Sequence, residues 1–170
     1  MVGGLAAAGL YLVRNPRVEL DDAIRREALD AFELPRPRVD EARALAGERC
    51  VSAMIDVSDG LAADLGHLCE ASGVGVAIDA TRLPVCAATT AIAELAGAGP
   101  LAWALGGGED YELLFTAPAE RVDALAARVL EEAGTEVSAI GEVVPAERGR
   151  VLAGADGGTT PLAGEGWRHF

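Results

Sequence analysis

The sequence predicts a mixed α/β sandwich, and three observations carry that prediction. Apolar runs of strand length, such as 50–57 and 75–79, alternate with longer segments of helical periodicity. Gly and Pro break the chain at Asn15–Pro16, Gly47, Gly73 and Gly106–Gly108. Hydrophobic residues make up 51% of the 170 residues and charged residues 24%, the balance of a globular domain with a core of its own.

Leu5 to Val13 forms a short apolar helix that Asn15-Pro16 ends. Val18 to Phe32 is amphipathic, with Leu20, Ile24, Ala28 and Ala31 on one face and Asp21 and Asp22 in a first turn whose dipole favours them. Residues 34–38 (LPRPR) are an extended connector, and Val39 to Ala46 is a helix stopped at Gly47. Cys50 to Val57 reads as a buried strand, and Ser58 to Ser72 as a helix with Leu61, Leu65 and Leu68 inward and Gly73 at its end. A strand over Gly75 to Asp79 follows, then helices over Ala87 to Ala96 and Leu101 to Leu105. The Gly106–Gly108 hinge leads into a strand over Tyr111 to Thr116, and Pro118 opens a helix over Ala119 to Ala133. Val137 to Val144 and Arg150 to Ala153 are strands, and Gly154 to Gly158 is a turn before the tail.

Charge narrows the function classes. There are 27 acids against 14 basic residues, a net charge of −13. Every basic residue is Arg, which removes any lysine-bearing phosphate loop, Schiff-base lysine or kinase-type strand lysine from this chain. Residues 1–50 hold eight Arg against nine acids, whereas residues 51–170 hold six against eighteen. Such a chain lacks the basic footprint that nucleic acid requires. The acidic part is either a solvated face or a site for divalent cations or a cationic ligand.

Cys50, Cys69 and Cys86 are widely spaced, with no C-x-x-C pair, and His67 and His169 lie far apart, so a zinc site is not expected. Three buried thiols in a reducing cytoplasm fit this pattern. Residues 1–13 are uncharged but short of the roughly 20 residues that span a bilayer, and no basic region precedes them. No membrane association is expected, and the Gly/Ala-rich opening reads as a chain that begins inside a larger architecture.

Three segments could carry chemistry. In residues 55–61 (IDVSDGL), an apolar strand delivers Asp56 to its C-terminal end, Ser58 stands where a helix N-cap belongs, Asp59 falls in the first turn and Gly60 permits close backbone approach. Two carboxylates and a hydroxyl at a strand–helix mouth suit Mg²⁺ with phosphate oxygens nearby. An ordinary capped helix explains Ser58 and Asp59 equally well, but not a carboxylate ending a buried strand. Asp64 either points back toward this mouth or lies on a solvated face, and His67 reads as a surface or half-buried helix residue. In residues 105–115 (LGGGEDYELLF), three glycines let the backbone fold against a ligand, and Glu109 and Asp110 stand where a carboxylate can meet an exocyclic amine or a cationic ring. Glu112 alternates with Leu113 as a strand-face residue. The tail 167–170 (WRHF) is either a terminal anchor or a stacking platform for a flat heterocycle, with Trp167 its best candidate.

Together these segments resemble the thiamine-monophosphate kinase family, a branch of the aminoimidazole-ribonucleotide synthetase superfamily. The resemblance rests on residues 53–65 (AMIDVSDGLAADL), 71–79 (ASGVGVAID), Leu83-Pro84, 104–116 (ALGGGEDYELLFT) and 166–170 (GWRHF), with residues 3–13 similar to the start of the family's second domain. It implies an α+β fold, an α/β/α layered sandwich around a mixed sheet. It implies ATP-dependent phosphorylation of thiamine monophosphate to thiamine diphosphate by direct in-line transfer in the cytoplasm. Asp56 and Asp59 would bind Mg²⁺, Ser58 would contact ATP, and Glu109 and Trp167 would hold the substrate; Asp110, Asp64 and Gly60 are further candidates.

By the same resemblance, residues 1–170 form the C-terminal substrate- and metal-binding domain. The N-terminal ATP-binding domain, which makes the homodimer, would be absent from this chain. The rivals are a non-catalytic interaction domain of the same fold and a related ATP-dependent synthetase with another phosphate acceptor. An uncovered interdomain face predicts self-association through residues 1–13.

Overall fold

The computed structural model describes residues 3–162. Three helices come first: α1 (Leu5–Arg14), α2 (Asp22–Glu33) and α3 (Val39–Ala46). Helix α2 starts four residues later than expected because the Asp21 carboxylate accepts hydrogen bonds from the Ala23 and Ile24 amides, which fixes the N-cap there. Helix α1 turns Ala6, Ala8, Gly9 and Leu12 inward. A Cβ on Gly9 would run into the Ala28 carbonyl, so this glycine sets how closely α1 and α2 approach. The small residues of α1 pack against α2 and Ile92, while Val13 near its end is exposed.

Strand β1 (Ala53–Val57) pairs antiparallel with β3 (Glu112–Thr116) in a two-stranded ribbon. A second, four-stranded sheet has the order β4 (Gly141–Pro145), β2 (Val74–Asp79), β5 (Arg150–Ala153), β6 (Thr159–Pro161). It is mixed, since β2 runs parallel to β5 while the other pairs are antiparallel. Helix α4 (Leu61–Ser72) joins the two sheets: Leu61, Leu65 and Cys69 pack with Val57 of β1 and with Val76 and Ile78 of β2. The other face of the ribbon, through Met54, Leu113 and Phe115, meets α3 and α7 (Val122–Ala133) over Ala44, Leu45, Leu125 and Val129. Burial of each of these larger side chains stabilises the fold by about 2 kcal/mol. The result is the expected α+β architecture of helical layers around mixed sheet. Helices α5 (Ala87–Leu95) and α6 (Pro100–Gly106) complete it beside α1.

Strand β4 occupies only the end of the expected 137–144 run, and β6 falls in a stretch of Thr and Pro with no apolar alternation to announce it. Of the three free cysteines only Cys69 is buried; Cys86 caps α5, its sulfur accepting from the Thr89 amide at 3.4 Å. Arg38, just before α3, donates to Glu41 at 3.1 Å and to Glu112 at 2.5 Å, and the Thr135 hydroxyl donates to Glu41 at 2.7 Å. Burial alone would lower the Arg38 pKa and raise that of Glu41. Their hydrogen bonds and charges outweigh it and shift both the other way, so the pair is held ionised. Glu112 is therefore not a plain strand-face residue but part of a largely buried ion-pair network.

Candidate functional site

The mouth of β1 is built by two loops in backbone contact. Residues 58–60 lead from β1 into α4, and residues 107–111 lead from α6 into β3. The Glu109 amide donates to the Ser58 carbonyl and the Tyr111 amide to the Val57 carbonyl, both at 2.8 Å. A Cβ on Gly108 would stand 2.7 Å from the Ser58 carbonyl oxygen, and one on Gly60 would stand 3.0 Å from the Gly106 carbonyl carbon. Gly60 also holds φ 109°, which side-chain-bearing residues rarely adopt. Both glycines are thus demanded by the contact between the loops.

Gly60, not Ser58, is the N-cap of α4, so Asp59 lies before the first turn rather than in it. The reason is Asp64. Its Oδ2 accepts from the Ser58 amide at 2.9 Å and the Asp59 amide at 3.1 Å, closing the loop back onto the helix. Asp64 is 3% exposed, which corrects the expectation of a solvated helix face. Burial raises its pKa, the two amides oppose that shift, and the Asp59 charge adds to it. His67 is exposed as expected, yet ligand atoms of Asp59, Asp64 and His67 lie within 4.8 Å of one another. The helical spacing of 64 and 67 carried that signal, but the turn that folds Asp59 over them did not show in the sequence.

Asp56 does not end a buried strand. It shares the ribbon face of Met54 and Leu113 but is exposed, where that face opens into a groove of about 530 Å³ also lined by Pro37, Arg38, Val39 and Tyr111. Across the mouth, the Tyr111 hydroxyl donates to Glu109 Oε2 at 3.1 Å. That bond, the Glu109 charge, burial, and the charges of Asp56 and Asp59 all raise the Tyr111 pKa. The charges of Asp56, Asp59 and Glu109 are thus all felt at one phenol, and Glu109 is also hydrogen-bonded to it. Glu109 and Tyr111 both hold left-handed backbone, with φ 69° and 48°, a strain of order 1–3 kcal/mol per residue. Asp110, between them, accepts from the Gly4 amide at 2.9 Å and the Ala6 amide at 3.0 Å, so both its oxygens are committed to the start of α1. Trp167 lies outside the described residues.

A model of the family described as AIR synthase related protein, C-terminal domain, matches residues 2–154. The chain belongs to this family. It is 38% identical over 168 residues to the thiamine-monophosphate kinase of Escherichia coli K12, covering 98% of this chain and 50% of that relative. Among solved structures it resembles AaThiL complexed with AMPPCP and TMP, at TM-score 0.81 and 31% identity, over 100% of this chain and 49% of that one. It also resembles the thiamine-monophosphate kinase of Stenotrophomonas maltophilia K279a, at TM-score 0.76 and 31% identity, over 95% of this chain and 49% of that one. The chain spans about half the length of the relatives it matches.

Within this AIR synthase related domain the donor set fits a hard divalent cation. Asp56 and Asp59 offer carboxylate oxygens at one mouth, and Mg²⁺ is commonly held by one or two carboxylates together with phosphate oxygens. Asp64 Oδ2 holds the loop, and ligand atoms of Asp59 and Asp64 lie within 4.8 Å of each other. No helix among the described residues is long and apolar enough to cross a membrane.

Proposed function

We propose that the chain is the C-terminal half of an enzyme that moves the γ-phosphoryl group of ATP onto thiamine monophosphate, giving thiamine diphosphate. The observation that carries this reading is the backbone contact that holds the Glu109 loop against the Asp56–Asp59 turn, through the Ser58 and Val57 carbonyls. The names of the relatives support it, and so does the neighbour solved with AMPPCP and TMP, since AMPPCP is an ATP analogue.

Asp56 and Asp59 would hold Mg²⁺, which supplies charge neutralisation to the phosphates when bound. Ser58 contacts ATP beside the N-terminus of α4, whose dipole favours phosphate. Glu109 accepts from the aminopyrimidine of the substrate, its oxygen oriented by Tyr111, and Trp167 stacks on the ring. A terminal phosphate oxygen of thiamine monophosphate attacks the γ-phosphorus in line. The bond to the β-phosphate bridging oxygen breaks, and ADP leaves. No covalent enzyme intermediate and no lysine are needed, because such transfer depends on positioning and charge stabilisation. The N-terminal half would supply the remaining ATP and metal ligands and the homodimer contact, and the enzyme would work in the cytoplasm.

Calorimetric titration of this chain with Mg²⁺ and with thiamine monophosphate tests the reading. Asp56→Asn with Asp59→Asn abolishes the Mg²⁺ heat while leaving the folded chain intact. Mg²⁺ binding unchanged in that variant favours the non-catalytic interaction domain instead.

A further inference from the structure

We propose that Asp110 is a positioning residue: by anchoring on the first turn of α1 it fixes the backbone that presents Glu109 and Tyr111. Three consecutive residues of this loop are tethered. The Glu109 and Tyr111 amides bind the end of β1, through the Ser58 and Val57 carbonyls. The residue between them reaches the other way, over 106 and 104 positions, to the Gly4 and Ala6 amides. The loop is thus stretched between the β1 turn and the start of α1, with a left-handed residue on each side of the carboxylate. Backbone alone does not favour two such residues in near succession, so an external constraint has to hold them.

The backbone beside the anchor leaves no slack. A Cβ on Gly107 would stand 2.5 Å from the Trp103 carbonyl oxygen and 3.5 Å from Gly4 Cα, and the Gly107 amide donates to that same carbonyl at 2.7 Å. A Cβ on Gly4 would stand 2.6 Å from the Trp103 carbonyl oxygen. The end of α6, the start of α1 and the glycine loop therefore share one backbone junction, and Asp110 is the side chain that closes it. Asp110 touches no substrate in this scheme. It acts through Glu109, and it ties the placement of that carboxylate to the segment entering α1. The binding consequence rests on the proposed role of Glu109 toward thiamine monophosphate; the tether does not.

The test uses this 170-residue chain with Asp110→Asn, which keeps the shape but offers one acceptor oxygen to the two amides. Amide hydrogen exchange at Glu109 and Tyr111 speeds up by about tenfold or more, while the β1–β3 ladder amides keep their wild-type rates. A uniform rise across the ladder, or no change at Glu109 and Tyr111, overturns the proposal. Calorimetry with thiamine monophosphate adds a double-mutant cycle. Asp110→Asn weakens binding about tenfold in the wild-type background and has no further effect when combined with Glu109→Gln. Additive losses show that Asp110 does not act through Glu109 and overturn it too. If the wild-type chain gives no heat with thiamine monophosphate, the substrate reading fails, and the exchange rates still decide the tether.

Discussion

Tyr111 and Glu109 are locked to each other: the phenol donates to the carboxylate at 3.1 Å across a loop in which both residues hold left-handed backbone. Both residues precede β3, which begins at Glu112. The strain is concentrated where the Glu109 loop meets the turn after β1, a place where a binding site needs side chains held in one orientation before a ligand arrives.

Relieving that strain should stabilise the chain at the expense of the site. Glycine reaches φ 69° without steric cost, so Glu109→Gly raises the unfolding free energy by about 1 kcal/mol. The same variant weakens thiamine monophosphate binding by about tenfold or more, because a charged hydrogen bond is lost. Denaturant unfolding and calorimetry on one preparation read both effects.

The loop contact predicts a cost for a single methyl group. Gly108→Ala sets a Cβ 2.7 Å from the Ser58 carbonyl oxygen, a backbone atom without room to yield. Forcing the two loops apart costs about 2 kcal/mol in denaturant unfolding. It also weakens Mg²⁺ binding, since Asp59 rides on the displaced loop.

Removing Arg38 exposes what the buried network contributes. Its guanidinium, 16% exposed, serves both Glu41 and Glu112, whose side chains are 5% and 10% exposed. Arg38→Met takes away a counter-charge from two largely buried carboxylates and lowers the unfolding free energy by about 3 kcal/mol. Restoration of stability by Glu112→Gln in the same chain would confirm that the loss is electrostatic.

Stability should vary with pH through Asp110. Burial raises its pKa above the ordinary 3.8, the Ala6 and Gly4 amides oppose the shift, and the Glu112 charge adds to it. A carboxyl whose folded pKa is raised gives stability that is fully present below 3.8 and is lost as pH rises through the folded value. The stability advantage of the wild-type chain over Asp110→Asn therefore narrows as pH climbs from 3.8 toward neutrality. Unfolding measured at several pH values in that window checks it, and a widening gap contradicts the sign.

The helices and most strands were legible because their signals are local. Periodicity, Pro16, Gly47 and Gly73 placed α1 to α4 within a few residues, and Val39–Ala46 matches in full. The D-x-S-D-G and G-G-G-E-D-Y segments fall on the two loops that the structure brings into backbone contact. What the sequence did not disclose is long-range partnership. Asp64 and Asp110 looked like further site ligands or surface acids. Their carboxylates also hold backbone, accepting from the amides of Ser58 and Asp59 and of Gly4 and Ala6. The Arg38–Glu112 pair spans 74 positions and leaves no periodic trace. Asp56 was expected to end a buried strand, but it is exposed at a groove that α3 lines through Val39, Ala42 and Arg43.

The most direct measurement is thiamine diphosphate formation from thiamine monophosphate, ATP and Mg²⁺ by this chain fused behind the N-terminal half of its Escherichia coli relative. Product forms, and Asp56→Asn with Asp59→Asn slows it by about 10²–10³-fold while the thermal midpoint holds, as expected when charge-stabilising groups leave a phosphoryl-transfer site. Turnover undiminished in that double variant, or a folded fusion that makes no thiamine diphosphate, would contradict the account.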